Sequence, residues 1–487
     1  MAKKNNEANQ REIELGEILK SMYTADGHVQ DRSIFVFAMK YGKEITENNN
    51  IRPGKIIEKS GLTDTLTVEL RRGLHLYEDL VSGDYGLTFA DIFHSVTDDD
   101  EATSHPEYPK ANPSKSIDDY LRAIKAKPFL ILGGFSGTGK SQSVKELAYI
   151  TCPDINGLQS DPQMPGNYCL VSVKPNWHDS SDLLGFYSSI NDKYEQTGFI
   201  RFLVKAMQNP SVPFFACIDE MNLAPVEEYF AEYLSVLESR SYNPATNQIE
   251  SATLLDKDIF TKAYKEYNVF KDLGIEENSP VATLLKAQGL RLPQNVVVIG
   301  TVNMDDTTHS FSRKVIDRAM TFETNIIDFT PDVYDAGDNM HYVSDPKDAK
   351  DVLPLFASAK DALKQLEENG IDTRKLMEDV TGFVNSVNTA LKGSPFQISY
   401  RVLNETILYY YSYGEGKEVE KIENVFNDIL MMKVLPRIEG DQDKAKDALE
   451  GLLSKFDDAA YTESRNKITE MLKPFGDGGS GFTTFWN

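Results

Sequence analysis

Residues 134–141 read GFSGTGKS and satisfy G-x-x-x-x-G-K-[ST] at every fixed position. The motif directly follows an apolar run, PFLILG, and precedes SQSVKELAYI, which has the composition of a helix. Strand, glycine-rich loop and helix in that order constrain the local fold more than any other stretch of the chain. Glycines let the backbone wrap closely, so that its N–H groups and the helix N-terminus face phosphate oxygens. On this reading Gly134, Phe135, Ser136, Gly137, Thr138 and Gly139 form a cradle, and Lys140 reaches the β- and γ-phosphates. The Ser141 hydroxyl is then a ligand for Mg2+.

A phosphate loop needs an acidic strand beside it. FFACIDE places Asp219 and Glu220 at the end of an apolar run about eighty residues downstream, as a Walker B motif does. Asp219 would hold the Mg2+ shell, and Glu220 would orient and polarise an attacking water. A third run, NVVVIGTVN, ends at Asn303. A polar group there can position the water between the acids and the γ-phosphate, although a strand end also uses Asn simply as a turn former. Arg313 and Arg318 follow in a helical-looking segment. Each reads either as an arginine finger acting on a neighbouring subunit's site or as an ion pair with one of the chain's many carboxylates.

The rest of the chain divides by grammar. Residues 1–97 look like a small, mostly helical unit, with apolar residues at helical spacing in Glu12–Tyr23 and Thr65–Val81. Helix, glycine turn, helix is also the outline of a helix-turn-helix, with Arg52, Lys55, Lys59, Arg71 and Arg72 nearby. Residues 1–110 nevertheless carry 13 basic against 20 acidic side chains, which favours a helical adaptor. Residues 98–117, acidic and then proline-rich, read as a linker. From 118 to 330 PFLILGG, CLVSVK, PFFACID and NVVVIGTVN alternate with helical segments, the pattern of a parallel α/β sheet. Residues 331–475 are amphipathic helices, and 476–487 a tail flexible at its glycines, although its aromatics are able to dock.

Composition closes several doors. The 487 residues carry 75 acidic against 51 basic side chains, a net charge of −24, so any nucleic acid is gripped locally rather than by the whole surface. No run reaches the roughly 18 apolar residues of a membrane span, and the amino terminus shows no apolar signal region. Three cysteines without CxxC spacing and seven histidines without HxH or HExxH spacing speak against a zinc site, and suggest reduced thiols in a cytoplasmic protein. No fixed-period repeat supports a solenoid.

Taken together and in this order, these pieces resemble the AAA+ NTPases, and more closely the McrB branch, the motor subunit of McrBC-type modification-dependent restriction systems. The resemblance runs from about residue 110 to 475. It rests on GFSGTGKS, PNWHDSSDLLGFY (175–187), IDEMNLAPVEEYFAEYLSVLESR (218–240), LPQNVVVIGTVNMDDTTHSFSRKVIDRA (292–319), ISYRVLNE (398–405) and KVLPRIEGD (433–441). VNMDD is similar to the branch's MNxxD element, with Asn303 and Asp306 at the named positions and Val302 in place of Met. The resemblance implies a sensor-1 role for Asn303, a finger role for Arg318 or Arg313, and a sensor-2 role for Arg401, which without the family is an ordinary helix cation. It implies that the element with Trp177, Asp182 and Gly185 faces a ring pore, where a bland reading packs the aromatic under a loop.

The implied fold is a P-loop AAA+ parallel sheet flanked by helices, followed by a helical lid and preceded by a small helical domain. The implied activity is hydrolysis of ATP or GTP with Mg2+ in a homo-oligomeric, hexameric ring. The implied setting is antiviral restriction, with a McrC-like nuclease subunit and DNA as partners. No PD-(D/E)xK-like cluster is evident, so this chain powers cutting rather than cuts. Two other readings remain open at this point: a MoxR-like protein-remodelling chaperone, and a nucleotide-switched scaffold that signals to an effector.

Overall fold

The computed structural model describes residues 11–20, 30–47, 51–62, 66–67, 70–71, 74, 116–243, 245–246, 248–304, 311–324, 340–476 and 479–486. The chain falls into two compact units, Met1–Glu107 and Tyr108–Asn487. Among the described residues no helix is long and apolar enough to cross a membrane.

In the first unit, residues 11–20, Gln30–Glu47 and Pro53–Ser60 are helical. Pro53 opens its helix, where a missing N–H costs nothing, and Gly61 closes it at φ 72°. Leu15, Leu19, Phe37, Ile45, Ile56 and Ile57 share the core. A β-carbon on Gly16 would come within 2.9 Å of the Lys59 Cβ, so glycine is what lets these two helices touch. The helix Gln30–Glu47, with its aromatic and β-branched SIFVF stretch, was not legible from periodicity. Most of Thr65–Val81 and all of 98–115 lie outside the described residues. Ser116 and Ile117, assigned to the linker by sequence, belong instead to the first helix of the main unit. There Ser116 and Asp119 form a reciprocal capping box at the start of α1 (Ile117–Ala126).

The main unit is built on five parallel strands, β1 (Phe129–Gly134), β2 (Tyr168–Ser172), β3 (Phe214–Asp219), β4 (Val296–Asn303) and β5 (Met320–Glu323), in the order β5-β1-β4-β3-β2. β1, β3 and β4 are buried almost throughout, as strands covered on both faces by helices must be. α2 (Lys140–Tyr149) packs on β1, β3 and β4, and α3 (Gly198–Gln208) on β2. This is the fold expected from sequence. The strand that sequence reading missed is β5: four residues, MTFE, with too little apolar periodicity to register.

Register decides what meets at the carboxyl ends. Gly134 of β1 lies opposite Asn303 of β4, while Ser172 of β2 lies opposite Asp219 of β3. The start of β4 is fixed by Asn295, whose amide donates to the carbonyls of Ala206 (3.1 Å), Asn209 (2.9 Å) and Val212 (2.8 Å), closing the end of α3.

α4 (Ala231–Glu238) precedes a run of short elements, and the lid follows as α5 (Ala359–Glu368), α6 (Thr373–Ala390), α7 (Tyr400–Tyr413), α8 (Ile422–Ile429), α9 (Gln442–Lys455) and α10 (Thr462–Leu472). The lid is not purely helical. Gly440–Asp441 pairs antiparallel with Phe482–Thr483, which brings the carboxy-terminal tail back onto it.

α7 lies along α1, and between lid and sheet sits a buried ionic cluster. Glu405, 1% exposed, receives Lys433 at 2.6 Å and Lys127 at 2.9 Å. Lys433 lies in a π-helical turn, Leu430–Val434, and also donates to the carbonyls of Asp317 (2.9 Å) and Ala319 (2.8 Å) just before β5. Burial pulls the Glu405 carboxyl upward, but the charges of Lys127 and Lys433 outweigh it and hold the group below the usual carboxylate range.

Removing that carboxylate leaves the buried Lys433 ammonium without an acid and Lys127 with Glu238 alone, so Glu405→Gln is expected to destabilise the main unit by about 3–5 kcal/mol in urea denaturation. The sign with pH follows from the lowered pKa. The contribution of Glu405 is complete above its unfolded value, about 4.3, and is lost as pH falls through the depressed folded value. Denaturation midpoints of wild type and variant therefore converge in acid. A gap that stays constant down to pH 3 would show that Glu405 carries no linked charge.

Candidate active site

β1 ends at Gly134, and the loop turns through Gly137 (φ 82°) and Gly139 (φ 76°) before α2 begins at Lys140. Nothing lies within 4 Å of where a β-carbon would project at either glycine, so left-handed backbone rather than crowding demands glycine there. The first-turn N–H groups of α2 have no intrahelical acceptors and sit at the positive end of the helix dipole. Lys140, 6% exposed, folds back over the loop and donates to the carbonyls of Gly134 (3.0 Å) and Phe135 (2.6 Å). Thr138 donates to the Phe135 carbonyl at 3.0 Å, and its hydroxyl meets that of Thr324 at 3.2 Å, tying the loop to the end of β5. Phe135 and Ser136 form the exposed outer turn.

The acids lie alongside. Ser141 Oγ donates to Asp219 Oδ1 at 2.6 Å, and Thr301 Oγ1 donates to the same oxygen at 2.8 Å. Glu220 has φ 51° and ψ 51°, a left-handed conformation that costs a residue with a β-carbon about 1–3 kcal/mol. It is held there from both ends: its N–H donates to Thr301 Oγ1 (3.1 Å), and its Oε1 accepts from Asn303 Nδ2 (3.0 Å). The next residue, Met221, lies over Gly300 of β4, where a β-carbon would come within 2.4 Å of its sulfur. Thr301 was missed by sequence reading. Its signal was its position two residues before Asn303, which places it on the same face of β4.

Ser141 and Asp219 together offer a hard oxygen pair suited to Mg2+. Among the described residues no group of three or more His, Cys, Asp or Glu side chains could hold a metal by itself.

The three predicted arginines lie elsewhere. Arg318 lies two residues before β5 and Lys127 two residues before β1, so their cluster sits at the amino ends of the strands, roughly 20 Å from the loop along β1. Arg401 Nη2 meets Glu238 at 2.6 Å and Arg318 Nε approaches Glu238 at 3.8 Å. Arg401 also faces Asp317 at 3.9 Å, and Arg437 pairs with Asp317 at 2.5 Å. Arg313 donates to the Pro395 carbonyl (2.9 Å) and stacks over Phe396. Each therefore has a partner in its own chain, and Arg401 does not close over this chain's own phosphate loop. Arg437, in the quoted KVLPRIEGD, joins the same cluster and was given no role by sequence reading. Burial pushes the Glu238 carboxyl up, but Lys127 and Arg401 outweigh it and lower it overall.

Trp177 is buried and packed edge-on against Tyr229 at 5.2 Å. Asp182 accepts the His178 N–H at 3.3 Å. Gly185 (φ 87°) has the Glu195 carbonyl where its β-carbon would be, and starts a hairpin of Phe186–Ser188 with Lys193–Glu195 whose tip, Ile190, is 94% exposed. Asp306 falls outside the described residues. The three cysteines are free, and burial drives the Cys217 thiol up to about 12, which leaves it unreactive.

Comparison with known proteins adds three findings. Residues 11–82 match a family described as HTH-like domain, in line with the helix, glycine turn, helix outline read from sequence. Residues 352–480, most of the lid, match a domain of unknown function, DUF8727. Among solved structures, a candidate ATPase from Cytophaga hutchinsonii is similar at 14% identity and a TM-score of 0.39, over 66% of this chain and 80% of that one. No curated protein matches the chain in sequence.

The geometry makes Lys140 the charged floor of the loop. Lys140→Ala is expected to leave circular dichroism unchanged and to weaken binding of a fluorescent nucleoside triphosphate by at least about tenfold, the loss of one charged hydrogen-bond donor. Binding at wild-type strength would remove the loop from the site.

Proposed function

We propose that this chain is a Mg2+-dependent nucleoside-triphosphatase of the McrB-like AAA+ kind, working in a ring and coupling hydrolysis of ATP or GTP to a DNA-directed defence complex. The observation that carries the reading is one continuous hydrogen-bonded chain, Ser141–Asp219–Thr301–Glu220–Asn303, set beside a glycine-rich loop at the carboxyl ends of a parallel sheet. Ligands of open α/β sheets bind at that end.

The loop N–H groups, the α2 terminus and Lys140 bind the triphosphate and oppose its charge. Bound Mg2+, with Ser141 and Asp219 in its shell, supplies charge neutralisation on the phosphates. Glu220, aimed by Thr301 and Asn303, accepts a hydrogen bond from water and turns its oxygen toward the γ-phosphorus. The water's proton passes to Glu220 or a phosphate oxygen as the new P–O bond forms. The bond to the β-phosphate oxygen breaks, and the nucleoside diphosphate and inorganic phosphate leave.

The arginines at the other end of the sheet supply the missing cation to a neighbouring copy's site, an arrangement supported by the distance that keeps them from their own. The HTH-like segment supports DNA over a protein client, and the −24 net charge confines that contact to a patch. A separate nuclease subunit and a cytoplasmic site belong to the same proposal.

Glu220→Gln is expected to retain nucleotide and lose turnover by about 10²–10⁴-fold. Arg401→Ala and Arg318→Ala are each expected to be inactive alone, and mixing either with Glu220→Gln subunits restores part of the activity, since some interfaces then join an intact arginine to an intact glutamate. Phosphate release is read for ATP and GTP separately, with and without DNA. An arginine variant that keeps wild-type turnover, or mixtures no more active than their components, would end the trans assignment. Turnover insensitive to DNA at low salt would move the client from DNA to protein.

A further inference from the structure

The carboxy-terminal tail does not trail from the lid. After its glycines, Phe482–Thr483 pairs with Gly440–Asp441 at the head of α9, and Thr483 Oγ1 donates to the Met471 carbonyl at 2.5 Å near the end of α10. Phe485 is 1% exposed and Trp486 8% exposed, their rings edge to face at 5.1 Å. The indole of Trp486 lies directly on Gly133: a β-carbon there would fall 2.1 Å from its Cζ3, and 2.9 Å from the Met304 methyl. Gly133 precedes the first residue of the phosphate loop, and Met304 follows Asn303. The last aromatic of the described chain is therefore seated against the ends of the two strands that carry the loop and the water-positioning amide.

A second path runs in parallel. Lys467 of α10 lies under Phe485, 5.1 Å from its ring centre, and pairs with Glu323 at 2.6 Å. Glu323 ends β5 opposite Gly133, and the next residue, Thr324, donates its N–H (2.8 Å) and hydroxyl (3.1 Å) to the Gly133 carbonyl. Thr324 also meets Thr138 inside the loop. Both paths join α9 and α10 to the backbone on which the loop is hung.

We propose that Trp486 is a positioning residue for the phosphate loop, strapping the lid to β1 and β4 so that nucleotide occupancy and lid position change together. This deepens the nucleotide reading and rests on it. The strap touches no phosphate. It acts by holding Gly133 and Met304, and a lid that shifts must either carry the indole along or strip it from the strand. A packing role alone would predict lost stability with unchanged nucleotide affinity. A positioning role predicts that affinity moves.

Trp177 and Trp486 are the chain's two tryptophans, so Trp177→Phe leaves Trp486 as the sole indole reporter. Its emission is expected to shift saturably on addition of Mg-ATP or Mg-GTP, and the shift is absent when Lys140→Ala is added. In kinetics, Trp486→Ala is expected to raise the nucleotide KM about tenfold, within the usual range of coupling between sites, while kcat changes less and Trp486→Phe recovers most of the loss. Should Trp486→Ala fail to fold, hydrogen exchange of the wild-type chain reads the same coupling, as slowed exchange in residues 479–486 on nucleotide binding. Nucleotide that binds to a labelled-ligand assay without altering Trp486 emission or tail exchange overturns the strap alone. No binding of either nucleotide overturns the site and the strap together. An unchanged KM in a folded Trp486→Ala chain reduces the tail to packing.

Discussion

The bond from Ser141 to Asp219 joins the first turn of a helix to the end of a strand two positions away in the sheet, and the rest of the site is arranged around it. It exists because β1, β4 and β3 are neighbours in parallel register, so that a loop leaving β1 arrives over the carboxyl end of β3. A one-residue slip of β4 would turn Thr301 and Asn303 to the opposite face and release both ends of Glu220. The register is itself over-determined. Asn295 fixes the entry to β4 with three carbonyl contacts, and Gly300 leaves space for Met221. The left-handed Glu220 is strain of the kind that persists only where its surroundings allow no alternative, and here those surroundings are two side chains of the same strand.

Charge is divided between the two ends of the sheet. At the carboxyl end, acids gather near one lysine and a helix N-terminus. At the amino end, Lys127, Arg318, Arg401 and Arg437 converge on Glu238 and Asp317. Between lid and sheet, Glu405, Lys127 and Lys433 form a buried set whose desolvation is offset only because each charge has a partner and Lys433 also donates to two carbonyls. Such a set is a poor source of net stability but a specific one, since it accepts few alternative placements of the lid. The lid is thus pinned at one end by ions and at the other by the tail's aromatics.

What sequence revealed and what it hid divide along the range of the interactions. The loop, the acid pair and Asn303 were legible because each lies within a local motif whose spacing carries its geometry. β1, β3 and β4 were legible because buried parallel strands are apolar runs, and β2 because its CLVSV run is rich in apolar and β-branched residues; β5 was not, since four residues with Thr and Glu give no periodicity, and its identity depends on pairing with β1. Thr301 was hidden in plain view, one pleat before Asn303. The meeting of Arg318, Arg401 and Arg437 joins segments 83 and 36 residues apart, a proximity that no local pattern encodes. The tail was legible only as composition, flexible at its glycines with aromatics able to dock, because its pairing with Gly440–Asp441 is long-range and no local pattern encodes it. For residues 11–82 the helix, glycine turn, helix outline was the legible part, and a charge sum over a hundred residues says nothing about which face a few arginines occupy.

The separation of the two ends bears on assembly. A parallel strand is stiff, and six residues of β1 hold the loop and the arginine cluster roughly 20 Å apart. Bending one chain does not bring them together without breaking the sheet. If the arginines act on phosphate at all, they act on phosphate held by another copy, and that copy must present its loop where this one presents its arginines. Such a contact uses two different surfaces, so it is heterologous, and heterologous contacts either close into rings or run on as filaments. The present arrangement adds a constraint on which chains can join. Glu238 and Asp317 already neutralise much of the cluster, so an approaching neighbour must offer more negative charge than these carboxylates to draw the guanidinium groups away. A loop holding a triphosphate does so; an empty loop does not. On the proposed reading, the carboxylates therefore make productive contact conditional on the neighbour's nucleotide, without requiring any motion of the sheet.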